Sequence, residues 1–195
     1  MKYQIDQSGK VEQTNLNTIV AITNSQQMSA LLKKADKRKL EKIFIELGIR
    51  KFFPFLVFSA IIAILLKHFQ PQQKIYIDNE YTGHEDLIQQ KIKQYYKSLT
   101  QKDDLTLNFI QVGKLSPSHY LANKTALGKL KPNLVIPISE LVNLVIENKK
   151  DRDSVLRALE RLTQDWLPGD RRSSRSLMKK GYHKINRKSS KNDNK

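Results

Sequence analysis

Polar and apolar residues alternate from Lys2 to Asp6, and Gln7-Ser8-Gly9-Lys10 reads as a turn. A second short run, Val11 to Thr14, leads to another turn at Asn15 to Asn17. Ile19-Val20-Ala21-Ile22-Thr23 is a continuous β-branched apolar run of the kind that forms a buried strand. The pattern predicts a three-stranded meander over residues 2–24. The period then changes. Leu40, Ile43, Phe44 and Leu47 recur at helical spacing and Gly48 supplies a stop, which predicts a basic helical insertion over about 26–49.

Phe52 to Leu66 is apolar except for Ser59, with Pro54 placed where a first helical turn tolerates proline. Lys74 to Tyr81 holds a short strand, and Gly83 turns the chain into a helix over 84–99 with Ile88, Ile92, Tyr95 and Leu99 on one stripe. Leu105 to Val112 is a further strand. Ser116 and Pro117 have the cap and first-position chemistry of a helix that runs to Gly128. A short strand at 134–136 and a helix after Ser139 follow. The expected architecture is an α/β core over residues 1–150, a mixed β-sheet with helices on both faces. An amphipathic helix over 151–167 and a basic tail over 168–195, expected to be disordered when free, complete the chain.

Charge changes the picture more than composition does. The 195-residue chain carries a formal net charge of +16, and residues 169–195 supply ten Lys/Arg against two Asp, which is half of that surplus. Such a balance favours a polyanionic partner, nucleic acid before an anionic membrane. Lys34, Lys37 and Arg38 in the basic helix and Arg171, Arg172, Lys179 and Lys180 in the tail are the candidate phosphate contacts. The absence of cysteine removes thiolate metal sites and disulfides from consideration. No apolar stretch follows Met1 in the manner of a signal peptide, and a cytoplasmic location is expected. The 52–66 run is shorter than the roughly 20 residues that span a bilayer, so it is read as a core helix, with a membrane anchor as the alternative.

The candidate chemistry lies at strand ends. Along Lys74 to Tyr81, Ile75 and Ile77 share one face while Asp78 and Glu80 share the other. Paired carboxylates at the C-terminal end of a strand in an α/β sheet either hold a ligand or cap the helix that follows. Asp6 ends the first strand and either joins them or stabilises its own turn. Lys114 and Ser116, just before a helix N-terminus, are candidates to hold a phosphate or form an ordinary capped turn. His119, three residues further on, reads by itself as a structural or surface histidine.

Three strands, a helical segment, then strand, helix, strand and helix, with Asp6 on the first strand and Asp78 closing the fourth, resemble the ribonuclease H-like superfamily over about residues 1–130. In that superfamily carboxylates on the first and fourth strands hold two divalent metals beside the scissile phosphate. The resemblance implies Asp6 and Asp78 as metal ligands here. It asks for a further acid from the intervening helix, for which Glu41 and Glu46 are available, with Glu41 nearer the basic cluster. The 52–69 segment has no carboxylate, and Glu80 on the Asp78 face is the substitute. Asp6, Asp78, Glu80 and His119 are then the catalytic set, with Mg²⁺ or Mn²⁺ bound by Asp6, Asp78, Glu80 and Glu41. The expected function is a metal-dependent nuclease. The alternatives are a non-catalytic nucleic-acid-binding protein on the same fold and, less favoured, a protein tethered by residues 52–66.

Overall fold

Among the described residues six strands form one mixed sheet in the spatial order β5-β4-β1-β2-β3-β6. The structure, a computed structural model, describes residues 2–113 and 115–164. The strands are β1 (Tyr3–Ser8), β2 (Thr18–Thr23), β3 (Gln27–Leu32), β4 (Ile75–Asp78), β5 (Leu107–Ile110) and β6 (Leu134–Val135). The helices are α1 (Lys34–Glu46), α2 (Phe53–Phe69), α3 (Glu85–Thr100), α4 (Pro117–Ala126), α5 (Ile138–Val145) and α6 (Lys149–Gln164). Only β2 runs against the others: it pairs antiparallel with β1 and β3, while β4, β5 and β6 join in parallel. The chain divides into two compact units at Glu147 and Asn148, the first holding the sheet and the second α6.

The α/β class and the mixed sheet match the expectation, and the strands expected at 2–6 and 19–23 are present as β1 and β2, but the third strand of the antiparallel start is not where the pattern puts it. Val11–Thr14 is not a strand. It belongs to a loop of turns between β1 and β2, closed where Gly9 adopts φ +72° and packs so near Asn17 that an added Cβ would lie 2.2 Å from its carbonyl oxygen. The third strand is instead Gln27–Leu32, inside the segment expected to be helical, and the helix is confined to Lys34–Glu46. Gln, Met, Ala and Leu favour a helix in isolation. Here β2 is buried along its whole length and needs a partner on each edge, and β3 pairs with it from Thr18–Leu32 to Thr23–Gln27. Tertiary demand overrides propensity.

The two faces of β2 explain the layers. Ile19 and Ala21 point toward α4, where they pack with Leu121 and Ala122. Val20 and Ile22 point to the opposite face, and α2 lies against β2 and β3. Helix α2 is enclosed, with eleven buried positions, and α3 packs along it. By length and composition the stretch Arg50–Phe69 is apolar enough to cross a membrane. In the fold its one polar interior residue, Ser59, is fully buried and donates to Phe55 O at 2.8 Å and to Ile88 O of α3 at 3.3 Å. That bond satisfies the hydroxyl inside an apolar layer and ties the two helices together.

Lys37 corrects a second expectation. It is not a surface cation but a completely buried one. Its Nζ donates to Lys10 O and Gln13 O, both at 2.9 Å, and to Thr18 Oγ1 at 2.8 Å. Thr18 Oγ1 in turn donates to Gly9 O at 2.7 Å. Arg38 is exposed and donates to Thr14 O, and Lys34 is exposed at the start of the helix. Helix α1 thus grips the 9–17 loop from one side. On the other side Tyr81, buried and edge-on to Phe55 and Phe58, donates its hydroxyl to Glu12 Oε2 at 3.0 Å.

Candidate metal centre

The parallel pairing of β1 with β4 sets the site. Residues opposite each other in the ladder share a face, and Gln4 pairs with Tyr76 while Ile5 pairs with Ile77. Ile5 and Ile77 are therefore committed to the α2 face, and strand alternation turns Asp6 and Asp78 to the α4 face. β4 ends at Asp78 and Glu80 follows two residues beyond it, whereas β1 continues past Asp6 to Ser8 on its pairing with β2, so Asp6 lies inside its strand and not at its end. One carboxylate oxygen from each of Asp6, Asp78 and Glu80 lies within 4.8 Å of the other two.

Each carboxylate is held. Asp6, at 2% exposure, accepts the Gln7 amide on Oδ1 at 2.6 Å and faces His119 Nδ1 with Oδ2 at 2.8 Å. Asp78 Oδ1 accepts the Val112 amide at 2.7 Å, which fixes the chain just past β5. Glu80 Oε2 pairs with Lys10 Nζ at 3.2 Å. None of these acids caps α3. That task falls to Glu85 and Asp86 in its first turn, and Asn79 Nδ2 donates to Glu85 Oε1 at 2.7 Å. His84 stands at the N-cap without a side-chain cap bond and stacks on Phe55 instead.

Burial pushes the Asp6 carboxyl above its ordinary range, the Gln7 amide opposes this, and the charge of Asp78 adds to it. Burial likewise raises Glu80, against the pull of Lys10 and with the help of Asp78 and Asp6. Carboxylates whose ionised forms are penalised by burial and by one another are what a cation relieves. An all-oxygen donor set suits a hard ion such as Mg²⁺ or Mn²⁺. An octahedral ion with ligands at about 2.1 Å sets them roughly 3–4.2 Å apart, so small side-chain rotations bring the three oxygens onto one ion. The residues fit the group.

His119 sits on α4, whose N-terminus is built as its sequence requires. Ser116 Oγ accepts the His119 amide at 3.1 Å and Pro117 opens the helix. This cap aims the imidazole at β1. With Nδ1 committed to Asp6, Nε2 is the ring atom left for acid–base work. The pair also orients Asp6 as an outer-shell partner does. His119→Ala is expected to weaken Mn²⁺ binding about 10–100-fold by calorimetry, the usual cost of losing such a partner. Unchanged affinity would mean that the pair is decorative.

The other sequence candidates fall elsewhere. Glu41 does not join the trio: its Oε1 pairs with Arg50 at 3.2 Å, so it is a surface ion pair rather than a ligand. Ser116 spends its hydroxyl on the cap, and Lys114, Arg171, Arg172, Lys179 and Lys180 lie outside the described residues. An open cavity of about 540 Å³ at the β2–β3 turn, lined by Asn24, Gln27, His68 and Pro117 among others, offers no carboxylate and shares no residue with the trio. The residue that sequence reasoning missed is Lys10. Its sequence context is a turn, and nothing local links it to Glu80, 70 positions away. No protein-family model, curated protein or solved structure matches this chain.

Proposed function

We propose that this chain is a nucleic-acid-acting enzyme, a divalent-metal-dependent nuclease on a ribonuclease H-like sheet that hydrolyses phosphodiester bonds. One observation carries the reading: Asp6 of β1 and Asp78 of β4 lie on adjacent strands, on one face, with Glu80 in reach of both. The three-strand antiparallel start, followed by β4 and β5 added in parallel beside β1, supports the same resemblance. Asp6, Asp78 and Glu80 would hold Mg²⁺ or Mn²⁺. Bound there, the ion supplies an activated water and neutralises charge on the leaving oxygen. His119, whose Nδ1 is held by Asp6, would offer Nε2 as the proton acceptor. The test is incubation of labelled RNA, DNA and hybrid duplex with the protein in Mg²⁺ or Mn²⁺, against a chelated control. Cleavage only with metal is the expected result.

A second reading is a non-catalytic nucleic-acid-binding protein on the same fold. The observation in its favour is the short acidic set, since Glu41 is spent on Arg50 and α4 offers His119 rather than an acid. Binding without cleavage under every metal condition would select it. We read α2 as a core helix of a cytoplasmic protein rather than an anchor, because the chain itself covers it. Recovery solely in a salt-resistant membrane fraction would reverse that.

The tail belongs to either reading. Phosphate contacts release counterions, so log K falls with log salt with a slope set by the number of contacts. Deleting residues 169–195 removes ten basic side chains. The truncated chain should bind more weakly to every sequence and with a shallower salt slope. An unchanged slope would remove Arg171, Arg172, Lys179 and Lys180 from the interface.

A further inference from the structure

Lys10 reaches the acidic trio through Glu80, from a backbone position that the fold holds in place. Its Nζ lies 3.2 Å from Glu80 Oε2 and donates to Glu80 O at 3.3 Å. Its backbone is pinned on both sides: the carbonyl accepts buried Lys37 Nζ at 2.9 Å, and the amide donates to Gln13 Oε1 at 3.2 Å. The next residue, Val11, is fully buried and donates its amide to Tyr81 Oη at 3.4 Å. One buried lysine thus fixes the loop that delivers a second lysine.

Charge then decides stoichiometry. Three carboxylates and one ammonium leave two negative charges at the site, which a single divalent ion neutralises. A second divalent ion would have to displace Lys10 or sit beside it, like charge against like charge. We propose that Lys10 takes the place of a second metal ion, so that the site binds one divalent cation, and that Lys37 is the positioning residue that holds Lys10 there. This rests on the nuclease reading. In that hydrolysis the water oxygen bonds to phosphorus as the P–O ester bond breaks. The water proton passes to His119 Nε2 and the leaving oxygen takes a proton from solvent. Lys10 keeps its own proton and offsets the charge that builds on the phosphate oxygens.

The experiment is Mn²⁺ titration of the full chain by calorimetry, wild type against Lys10→Met and Lys10→Arg, with cleavage rates alongside. Wild type should take one Mn²⁺ per chain. Lys10→Met should bind Mn²⁺ at least about threefold tighter, because Glu80 loses its competing ammonium. It should also cleave about tenfold or more slowly, because the offsetting charge is gone. A merely structural role would weaken both. Lys10→Arg keeps the charge and should bind one Mn²⁺ at near wild-type affinity, which separates charge from folding. Two Mn²⁺ per wild-type chain, or weaker Mn²⁺ binding in Lys10→Met with circular dichroism unchanged, would overturn the proposal and leave the metal site standing. No Mn²⁺ binding by wild type would overturn the metal site and the proposal together. If Mn²⁺ binds but nothing is cleaved, the nuclease reading fails, and stoichiometry and affinity still decide the placement of Lys10.

Discussion

Asp78→Asn is expected to lose metal-dependent cleavage by about 10²–10³-fold, the scale for removing one preorganised electrostatic group. It should retain nucleic-acid binding. The amide keeps the shape and still offers Oδ1 to the Val112 amide, so the chain past β5 stays in place. What disappears is the charge a hard cation requires. Binding survives because it rests on dispersed Lys and Arg rather than on this site. The same substitution should raise thermal stability in the absence of metal, by something on the order of 1 kcal/mol. Asp78 is one of the charges that push Asp6 and Glu80 up, and removing it relieves both. A variant that melts higher, binds nucleic acid and does not cleave is the signature of a site selected for charge against stability. Full cleavage by Asp78→Asn would place the chemistry elsewhere.

The parts of this site that were legible in the sequence are those governed by strand period. Ile75 and Ile77 take one face of β4, so Asp78 takes the other, and Ile5 and Asp6 divide the same way on β1 although both are buried; Glu80 lies past the end of β4, where alternation no longer sets its direction. Ser116-Pro117 announced the start of α4 and so the place of His119. The misreadings share a different cause. Gln27–Leu32 is composed of helix formers and becomes a strand because an all-buried β2 lacks a partner on that edge. Val11–Thr14 looks like a short alternation, yet its loop is held by Lys37 and Tyr81, which are remote in sequence. Lys37 belongs to a run of basic residues that reads as a solvated, phosphate-facing surface, and only the fold shows that one position of that helix turns inward to three oxygens. Period reads faces, while long-range satisfaction of polar groups leaves no local mark.

Lys37→Met is expected to destabilise the fold by about 2–4 kcal/mol. Methionine fills the space but leaves the Lys10 and Gln13 carbonyls facing an apolar group, and each orphaned buried acceptor costs about 1–3 kcal/mol. Relief from burying an ammonium offsets part of that. The effect should depend on pH in a definite direction. Burial pulls the Lys37 pKa from the ordinary 10.5 down to about 8, with the charge of Glu12 working the other way. Below pH 8 the group is protonated in folded and unfolded chains alike, and its contribution is constant. Between 8 and 10.5 the unfolded chain holds a proton that the folded chain has shed, so wild-type stability gains from this group as pH rises, by up to about 1.4 kcal/mol per unit. Lys37→Met lacks that gain. Urea unfolding at several pH values should therefore show the gap between wild type and variant widening from pH 8 to pH 10. A gap that stays flat would mean that the three oxygens hold the ammonium charged throughout. In either case the freed 9–17 loop should no longer present Lys10 to Glu80, so Lys37→Met should share the tighter Mn²⁺ binding of Lys10→Met wherever it remains folded.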